Sequence, residues 1–261
     1  MRQQHFGKAR APGGIGAVSP NSRHLRLTLH LNPGSYMSLT YLLLNLFIIV
    51  VPLWYTPDKR TAYYRRLPAL GFSIAVVSTC YLVWDIAVTS RGEWSFNSKY
   101  LTGVQIFNLP VEEILFFITV PYSCLFIYEV VLYRTKPNSF KLPNIVFIAS
   151  IALLLAAGVV FSHQGYTAKA LVSCGFFLIA ALLFDRPLIK SRQYWAWLAI
   201  CYIPFLIINS ILTALPVVEY NRAAIWGPRF GTIPLEDFFY NYAMLSFYLL
   251  FYRFRAKEIP R

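Results

Sequence analysis

Seven long apolar segments alternate with short polar loops along most of the chain. A helix needs about 20 apolar residues to cross the hydrocarbon core of a bilayer, so segments of this length predict transmembrane helices. The pattern therefore predicts an all-α fold, a polytopic membrane helix bundle of about seven transmembrane helices. The segments cover residues 38–55, 67–88, 111–133, 145–161, 166–184, 195–218 and 235–252.

Residues 1–36 have a different character from everything that follows. They are basic, contain glycine and proline, and lack the apolar core of a signal peptide. We predict a disordered N-terminal extension here. Met37 directly precedes the first apolar segment and is a candidate for the natural start.

The composition excludes a large soluble domain. Hydrophobic residues make up 57% of the 261 residues and charged residues 13%, whereas soluble domains carry about 25% charged residues. The net charge of +13 would suggest nucleic-acid binding in a soluble protein. Here the basic residues lie between the apolar segments, where they predict contacts with lipid headgroups, so no nucleic-acid partner is expected.

The distribution of basic residues predicts the orientation in the membrane. The loops after the first, third and fifth segments, together with the C-terminal tail, carry 14 Lys and Arg residues, and the loops after the second, fourth and sixth carry 5. The richer side faces the cytoplasm by the positive-inside rule. We therefore expect a multi-pass protein of the cell (inner) membrane with an outer N-terminus and a cytoplasmic C-terminus. The basic extension argues the other way, unless Met37 is the start.

An internal repeat appears at an offset of 124 residues. It predicts two three-helix units, 37–134 and 163–261, joined by a linker, 135–162, that contains the fourth helix. Because one extra helix separates the units, both cross the membrane in the same direction, as parallel repeats do. The matched pairs are Asp85 and Asn209, Thr89 and Thr213, Gly103 and Gly227, Pro110 and Pro234, Glu112 and Glu236, and Glu113 and Asp237.

Each unit carries two adjacent acids at the start of an apolar helix, Glu112 with Glu113 and Glu236 with Asp237. A structural explanation exists, because a proline followed by acids favours a helix N-terminus. Acids within a membrane are costly, however, and usually mark function. Asp85 is expected at the same depth, and a carboxyl cluster in apolar surroundings keeps at least one member protonated at neutral pH, as a Brønsted acid.

Two further groups of side chains are candidates for substrate contacts. Asn209 replaces Asp85 in the second unit, so it cannot ionise, and an interhelical hydrogen bond is the alternative explanation for it. Aromatic rings near the acids would stabilise a carbocation, although packing in the core or against lipid is the simpler explanation for any single ring. These rings belong to Trp84, Phe116, Phe117, Trp226, Phe238, Phe239 and Tyr240.

Other polar residues have simpler explanations. Asp58, Glu129 and Asp185 lie near basic residues or helix ends and are predicted to be solvated. The cysteines lie inside apolar segments without a C-x-x-C pair, and we predict that all four are buried. They are Cys80, Cys124, Cys174 and Cys201.

The chain lacks the usual signatures of cofactor and metal sites. The glycine cluster at residues 13–16 lacks the third glycine of a dinucleotide fingerprint, the four histidines have no paired spacing, and no D-x-x-x-D motif occurs. The last helix has no lysine for a retinal Schiff base. We therefore expect no cofactor and no metal.

The duplicated Pro-x-Glu-[Glu/Asp] motif, preceded by Trp84-Asp85, resembles the heterodimeric-type integral-membrane lycopene cyclases in their fused, two-unit form. The likeness covers about residues 37–254. It implies acid/base cyclisation of lycopene ψ-ends to β-rings, giving γ- and β-carotene without net redox change. It also implies a hydrophobic carotenoid substrate within the bilayer and possible association with other carotenoid enzymes. Glu112, Glu113, Glu236 and Asp237 become acid/base candidates, with Asp85 as a proton reservoir or tuner.

Several alternatives stay open at this point. The residues do not identify the proton donor, and relatives that cyclise C50 carotenoids leave the length of the substrate undecided. A small-solute transporter would also use parallel repeats and intramembrane acids, and Pro121 and Pro204 are its main supporting features. A pigment-binding seven-helix protein would need an aromatic pocket without an acid cluster.

Overall fold

The computed structural model describes residues 38–258, so the predicted extension at residues 1–36 lies outside the described residues. Each of the seven apolar segments forms a helix. The helices are α1 Thr40–Tyr55, α2 Leu67–Ser90, α3 Val111–Arg134, α4 Asn144–Val160, α5 Gly165–Phe184, the one-turn α6 Arg186–Lys190, α7 Arg192–Ala214 and α8 Leu235–Ala256. The sixth prediction was too long at its end, because α7 stops at Ala214 and Val218 already lies in a strand.

Four of the helical segments in residues 38–258 are long and apolar enough to cross a membrane: Tyr63–Ser90, Val111–Arg134, Gly165–Phe184 and Arg192–Ala214. The first consists of a 3-10 turn, Tyr63–Arg66, continued by α2. Two shorter helices, α1 and α4, are also apolar. The apolar helix content agrees with a membrane bundle, and the number of crossings shown by length and hydropathy is four.

Helices of the two halves pack against each other in an interleaved arrangement. Within each half, the first helix packs on the third, α1 on α3 and α5 on α8. Across the halves, α2 packs on α8, and α3 packs on α7. This arrangement brings α3 and α8, which carry the acid motifs, to the centre of the bundle, where Phe117, Trp197 and Tyr248 are almost completely buried.

The linker helix α4 lies against α5. A Cβ atom at Gly158 would lie 2.5 Å from Cγ2 of Val172, so a larger residue there would force the two helices apart. Small residues permit this close approach of helix backbones, which is a common device in membrane bundles.

Short strands connect the helices and position the acid motifs. β1 Trp94–Phe96, after α2, pairs antiparallel with β4 Val218–Tyr220, after α7. Two hairpins, β2 Gln105–Ile106 with β3 Leu109–Pro110 and β5 Arg229–Phe230 with β6 Ile233–Pro234, lead directly into α3 and α8. In both hairpins the last residue is proline, whose fixed φ suits a helix start.

The two hairpins differ at one turn position. Phe107 adopts a left-handed φ of 58°, and Gly231, 124 residues later, has a φ of 60°. Glycine adopts this conformation freely, whereas a side chain makes it costly. The turn before α3 is therefore the more strained of the two.

Three polar or small residues lie in surroundings that differ from the predictions. Asp185 is buried and pairs with Arg253 at 2.8 Å, and Glu129 is buried and accepts a 2.7 Å hydrogen bond from Tyr252, so the prediction that both are solvated was wrong. Cys80 is exposed on α2, contrary to prediction, whereas the other three cysteines are buried. Helical periodicity places Cys80 on the outer face, a position that an apolar count alone does not reveal.

Candidate functional site

A cavity of about 380 Å³ lies among α1, α3, α7, α8 and the β1–β4 pair. Most of its lining is apolar or aromatic, and its two carboxyl groups are those of Glu113 and Asp237. Asn209 also lines it. A mostly apolar pocket with a few convergent polar groups has the character of a small-molecule site.

Glu113 lies in the first turn of α3 and receives one hydrogen bond. The hydroxyl of Tyr41, from α1, donates to its Oε2 at 2.5 Å. Tyr41 is itself buried and lines the cavity. The helix packing of α1 on α3 therefore supplies the hydrogen-bond partner of this acid.

Asp237 occupies the matching place on α8 and receives three hydrogen bonds. The hydroxyl of Tyr166 donates to Oδ1 at 2.6 Å, and Asn209 Nδ2 and the hydroxyl of Tyr220 donate to Oδ2 at 2.8 and 2.9 Å. Burial, and then the neighbouring carboxyl group of Asp237, raise the pKa of Tyr220 well above its usual value. Tyr220 therefore keeps its proton and acts as a donor.

The preceding acids, Glu112 and Glu236, do not line the cavity. Each is buried and accepts a hydrogen bond from a loop backbone: Thr102 N donates to Glu112 at 2.6 Å, and Trp226 N donates to Glu236 at 2.5 Å. Thr167 adds a 2.6 Å hydrogen bond to Glu236. Each motif thus separates into a first acid that fixes the preceding loop and a second that faces the cavity.

Asp85 is buried in α2 and does not line the cavity. Trp94 Nε1 donates to its Oδ1 at 2.9 Å, and the indole ring of Trp94 lines the cavity. Asp85 also interacts electrostatically with Glu113. Its link to the cavity is therefore indirect.

The predicted aromatic residues separate into two groups. Phe116 and Tyr240 line the cavity. The other five, which are absent from its lining, pack in the core or lie at the surface: Phe117 is buried, Trp84 packs on Tyr240, Phe238 stacks on Tyr202, and Phe239 and Trp226 are exposed.

The sequence reasoning missed four cavity-lining side chains that donate hydrogen bonds to Glu113, Asp85 or Asp237: Tyr41, Trp94, Tyr166 and Tyr220. A signal existed for Tyr41 and Tyr166, because both are tyrosines near the start of the first helix of a unit, at nearly the repeat offset. Trp94 and Tyr220 pair across the β1–β4 ladder. That pairing joins loops 126 residues apart, which local patterns cannot reveal.

Within residues 38–258, no group of three or more His, Cys, Asp and Glu side chains has the arrangement of a metal site. Neither a curated protein nor a solved structure gives a significant match to the chain. A family model described as lycopene cyclase matches two segments, residues 36–131 and 163–255, each ending in one of the acid-bearing helices. With well over half of its residues matched, the chain belongs to the lycopene cyclase family.

Proposed function

We propose that this protein closes β-rings at the linear ψ-ends of lycopene, giving γ-carotene and β-carotene. The observation that carries the proposal is the convergence of two carboxyl groups, Glu113 from one half and Asp237 from the other, on one apolar cavity. Ring closure needs one group that gives a proton and one that removes a proton, and both must act away from water.

The hydrogen bonds suggest which acid has which role. Asp237 accepts three donors, and such bonds favour the ionised carboxylate. Glu113 accepts one donor in mostly apolar surroundings, which favour the neutral carboxylic acid. We assign Glu113 as the proton donor and Asp237 as the base.

The proposed reaction balances without electron transfer. Glu113 protonates the terminal double bond of a ψ-end, and the next suitably placed double bond attacks the resulting tertiary cation, forming the ring carbon–carbon bond. The Asp237 carboxylate then removes a ring proton, which restores a double bond. The enzyme is left with ionised Glu113 and protonated Asp237, and exchange of protons with water restores the starting state.

Besides a proton donor and a base, ring closure needs stabilisation of the carbocation, and aromatic rings can supply it. Phe116, Trp94 and Tyr240 line the cavity together with both acids. A ring face within about 6 Å of a cation contributes about 0.5 to 2 kcal/mol. We propose that these three rings stabilise the intermediate, and that Trp84, Phe117, Trp226, Phe238 and Phe239 support the fold instead.

The remaining acids do not line the cavity, so their effect on the substrate is indirect. Glu112 and Glu236 hold the loops before α3 and α8, and therefore orient the acids that follow them. Asp85 accepts a hydrogen bond from Trp94 and so orients an aromatic ring that lines the cavity. We propose that all three are positioning residues.

The substrate and the bundle share the bilayer. We propose that all seven long helices cross it, that 37–134 and 163–261 form parallel units around the linker 135–162, and that the C-terminus is cytoplasmic. A cysteine at the exposed Ser98, between β1 and α3, then reacts with an impermeant thiol reagent in intact cells. Labelling only after lysis would contradict this orientation.

The test of function is expression in a bacterial host that accumulates lycopene, with chromatography of the extracted pigments. We expect γ- and β-carotene to appear with the wild-type chain and to be absent with Glu113→Gln at equal membrane abundance. Unchanged lycopene in cells that contain folded protein, or rings of another type, would contradict the proposal.

A further inference from the structure

We propose that a single site closes both rings in succession, so that the carotenoid leaves after the first ring and returns with its other end. The inference rests on the proposed function and concerns how one chain with two similar halves serves a substrate with two similar ends. Two units do not provide two sites, because each contributes one of the two acids that face the same cavity, Glu113 and Asp237.

The second helices of the two units differ in their relation to the cavity. On α7, Pro204, Phe205 and Ile208 line it. The residues 124 positions earlier on α2 are Cys80, Tyr81 and Trp84, and none of them does. Ile208 is much smaller than Trp84, the residue at the matching position, and leaves space beside α7.

The corresponding space beside α2 is filled by aromatic rings. The ring centroids of Tyr81 and Trp84 are 5.4 Å apart, and each lies 5.4 or 5.2 Å from that of Tyr240. These separations are those of rings in contact. The hydroxyl groups of Tyr81 and Ser173 are 3.3 Å apart, which ties α2 to α5. The three rings thus occupy the space beside α2 that corresponds to the cavity beside α7.

The cavity has the shape of a channel for one end of a long apolar molecule. Its lining on α3 extends from Glu113 to Ile127, which is about 21 Å along a helix that rises 1.5 Å per residue. On α1 it includes Phe47 and Val51, which are 67% and 57% exposed, so the cavity opens on the outer face of the bundle. A ring formed beside the acids must be withdrawn through this opening before the other end can enter.

The test is the substitution Ile208→Trp, which introduces the residue found at the matching position 84. The new ring is expected to fill the cavity as Trp84 fills the space beside α2. The initial rate of lycopene consumption is measured in membranes containing equal amounts of folded protein. One site predicts that the rate falls at least about tenfold, because the new ring occupies the substrate channel. Two independent sites predict a fall of about twofold, because the second still acts on either end.

Two further variants keep the test decisive. Ile148→Trp places the same exchange on the exposed face of α4, away from the cavity, and is expected to leave the rate unchanged. If Ile208→Trp does not fold, Val120→Trp fills the same cavity from α3. A folded cavity variant that keeps half or more of the wild-type rate would overturn the proposal.

The wild-type time course provides a separate check. Release after the first ring predicts that free γ-carotene appears first and that β-carotene follows after a lag. Formation of β-carotene without a lag would overturn the single site. No consumption of lycopene by the wild-type chain would instead refute the proposed function itself, so the two failures are distinguishable.

Discussion

Replacement of Glu113 by glutamine separates the role of this acid from that of its neighbour. The amide oxygen of Glu113→Gln can still accept the hydrogen bond from Tyr41, so the packing of α1 on α3 is kept. The amide cannot give a proton to an alkene. A positioned general acid contributes about 100- to 10,000-fold to a rate, which is about 3 to 5.5 kcal/mol of activation free energy. We expect a loss within this range.

The matched control is Glu112→Gln, one residue earlier in the same turn. Glu112 does not line the cavity, and an amide oxygen in its place still accepts the hydrogen bond from Thr102 N. The amide oxygen takes the place of the carboxyl oxygen as hydrogen-bond acceptor, so the loop before α3 keeps its position. We expect the rate of this variant to stay within about tenfold of the wild-type rate, because the substitution displaces the groups that line the cavity only slightly.

The assay is the initial rate of ring formation in isolated membranes, normalised to folded protein. Thermal unfolding of the purified variants checks that Glu113→Gln and Glu112→Gln are equally stable. A wild-type rate for Glu113→Gln would refute its assignment as proton donor. A large loss for Glu112→Gln with a normal rate for Glu113→Gln would show that the two acids have the opposite roles.

Three further predictions follow from the same contacts. Tyr220→Phe removes one of three donors to Asp237, which is worth about 1 to 2 kcal/mol, so ring formation slows about tenfold while the protein stays folded; an unchanged rate would count against Asp237 as the base. Arg253→Ala leaves the buried Asp185 with only the more distant Lys257, at 4.0 Å, and costs about 3 kcal/mol of unfolding free energy in thermal melts. Arg255→Ala on the exposed surface costs less than about 1 kcal/mol, and equal melting temperatures for the two variants would contradict this. Turnover in deuterated water leaves one solvent deuterium per new ring by mass spectrometry, because the donor carboxyl exchanges its proton before reaction; rings without deuterium would exclude a solvent-exchanged donor.

Much of the fold was accessible from the sequence because the signal was periodic and local. The seven apolar segments predicted all seven long helices, since a bilayer or a core demands long uninterrupted hydrophobic runs. The end of the sixth segment was wrong because apolar composition continues from α7 into β4, and composition does not distinguish a helix from a buried strand. The burial of Asp185 was missed for a different reason, because its partner Arg253 is 68 residues away.

The candidate site was only partly predictable. The adjacent acids lie in the helix turns that border the cavity, but two neighbouring residues on a helix point about 100° apart, so only one of each pair faces it. Sequence alone does not give the rotation of α3 and α8 about their axes. Tyr220 and Trp94 were inaccessible because the β1–β4 pairing that brings them to the acids is formed between distant loops.

The exchange of one residue between the halves accounts for the different roles that we propose for Glu113 and Asp237. Asn209 stands 124 positions after Asp85, and as an amide it donates a hydrogen bond to Asp237. Asp85 has no amide to offer and accepts a hydrogen bond from Trp94 instead, so Glu113 has the hydroxyl group of Tyr41 as its donor. This difference supports the roles that we propose, because extra donors favour a carboxylate at Asp237 and mostly apolar surroundings favour a carboxylic acid at Glu113. An acid and a base beside one cavity are what a ring closure without net proton change requires, and a strictly symmetric pair of units would provide two equivalent acids instead.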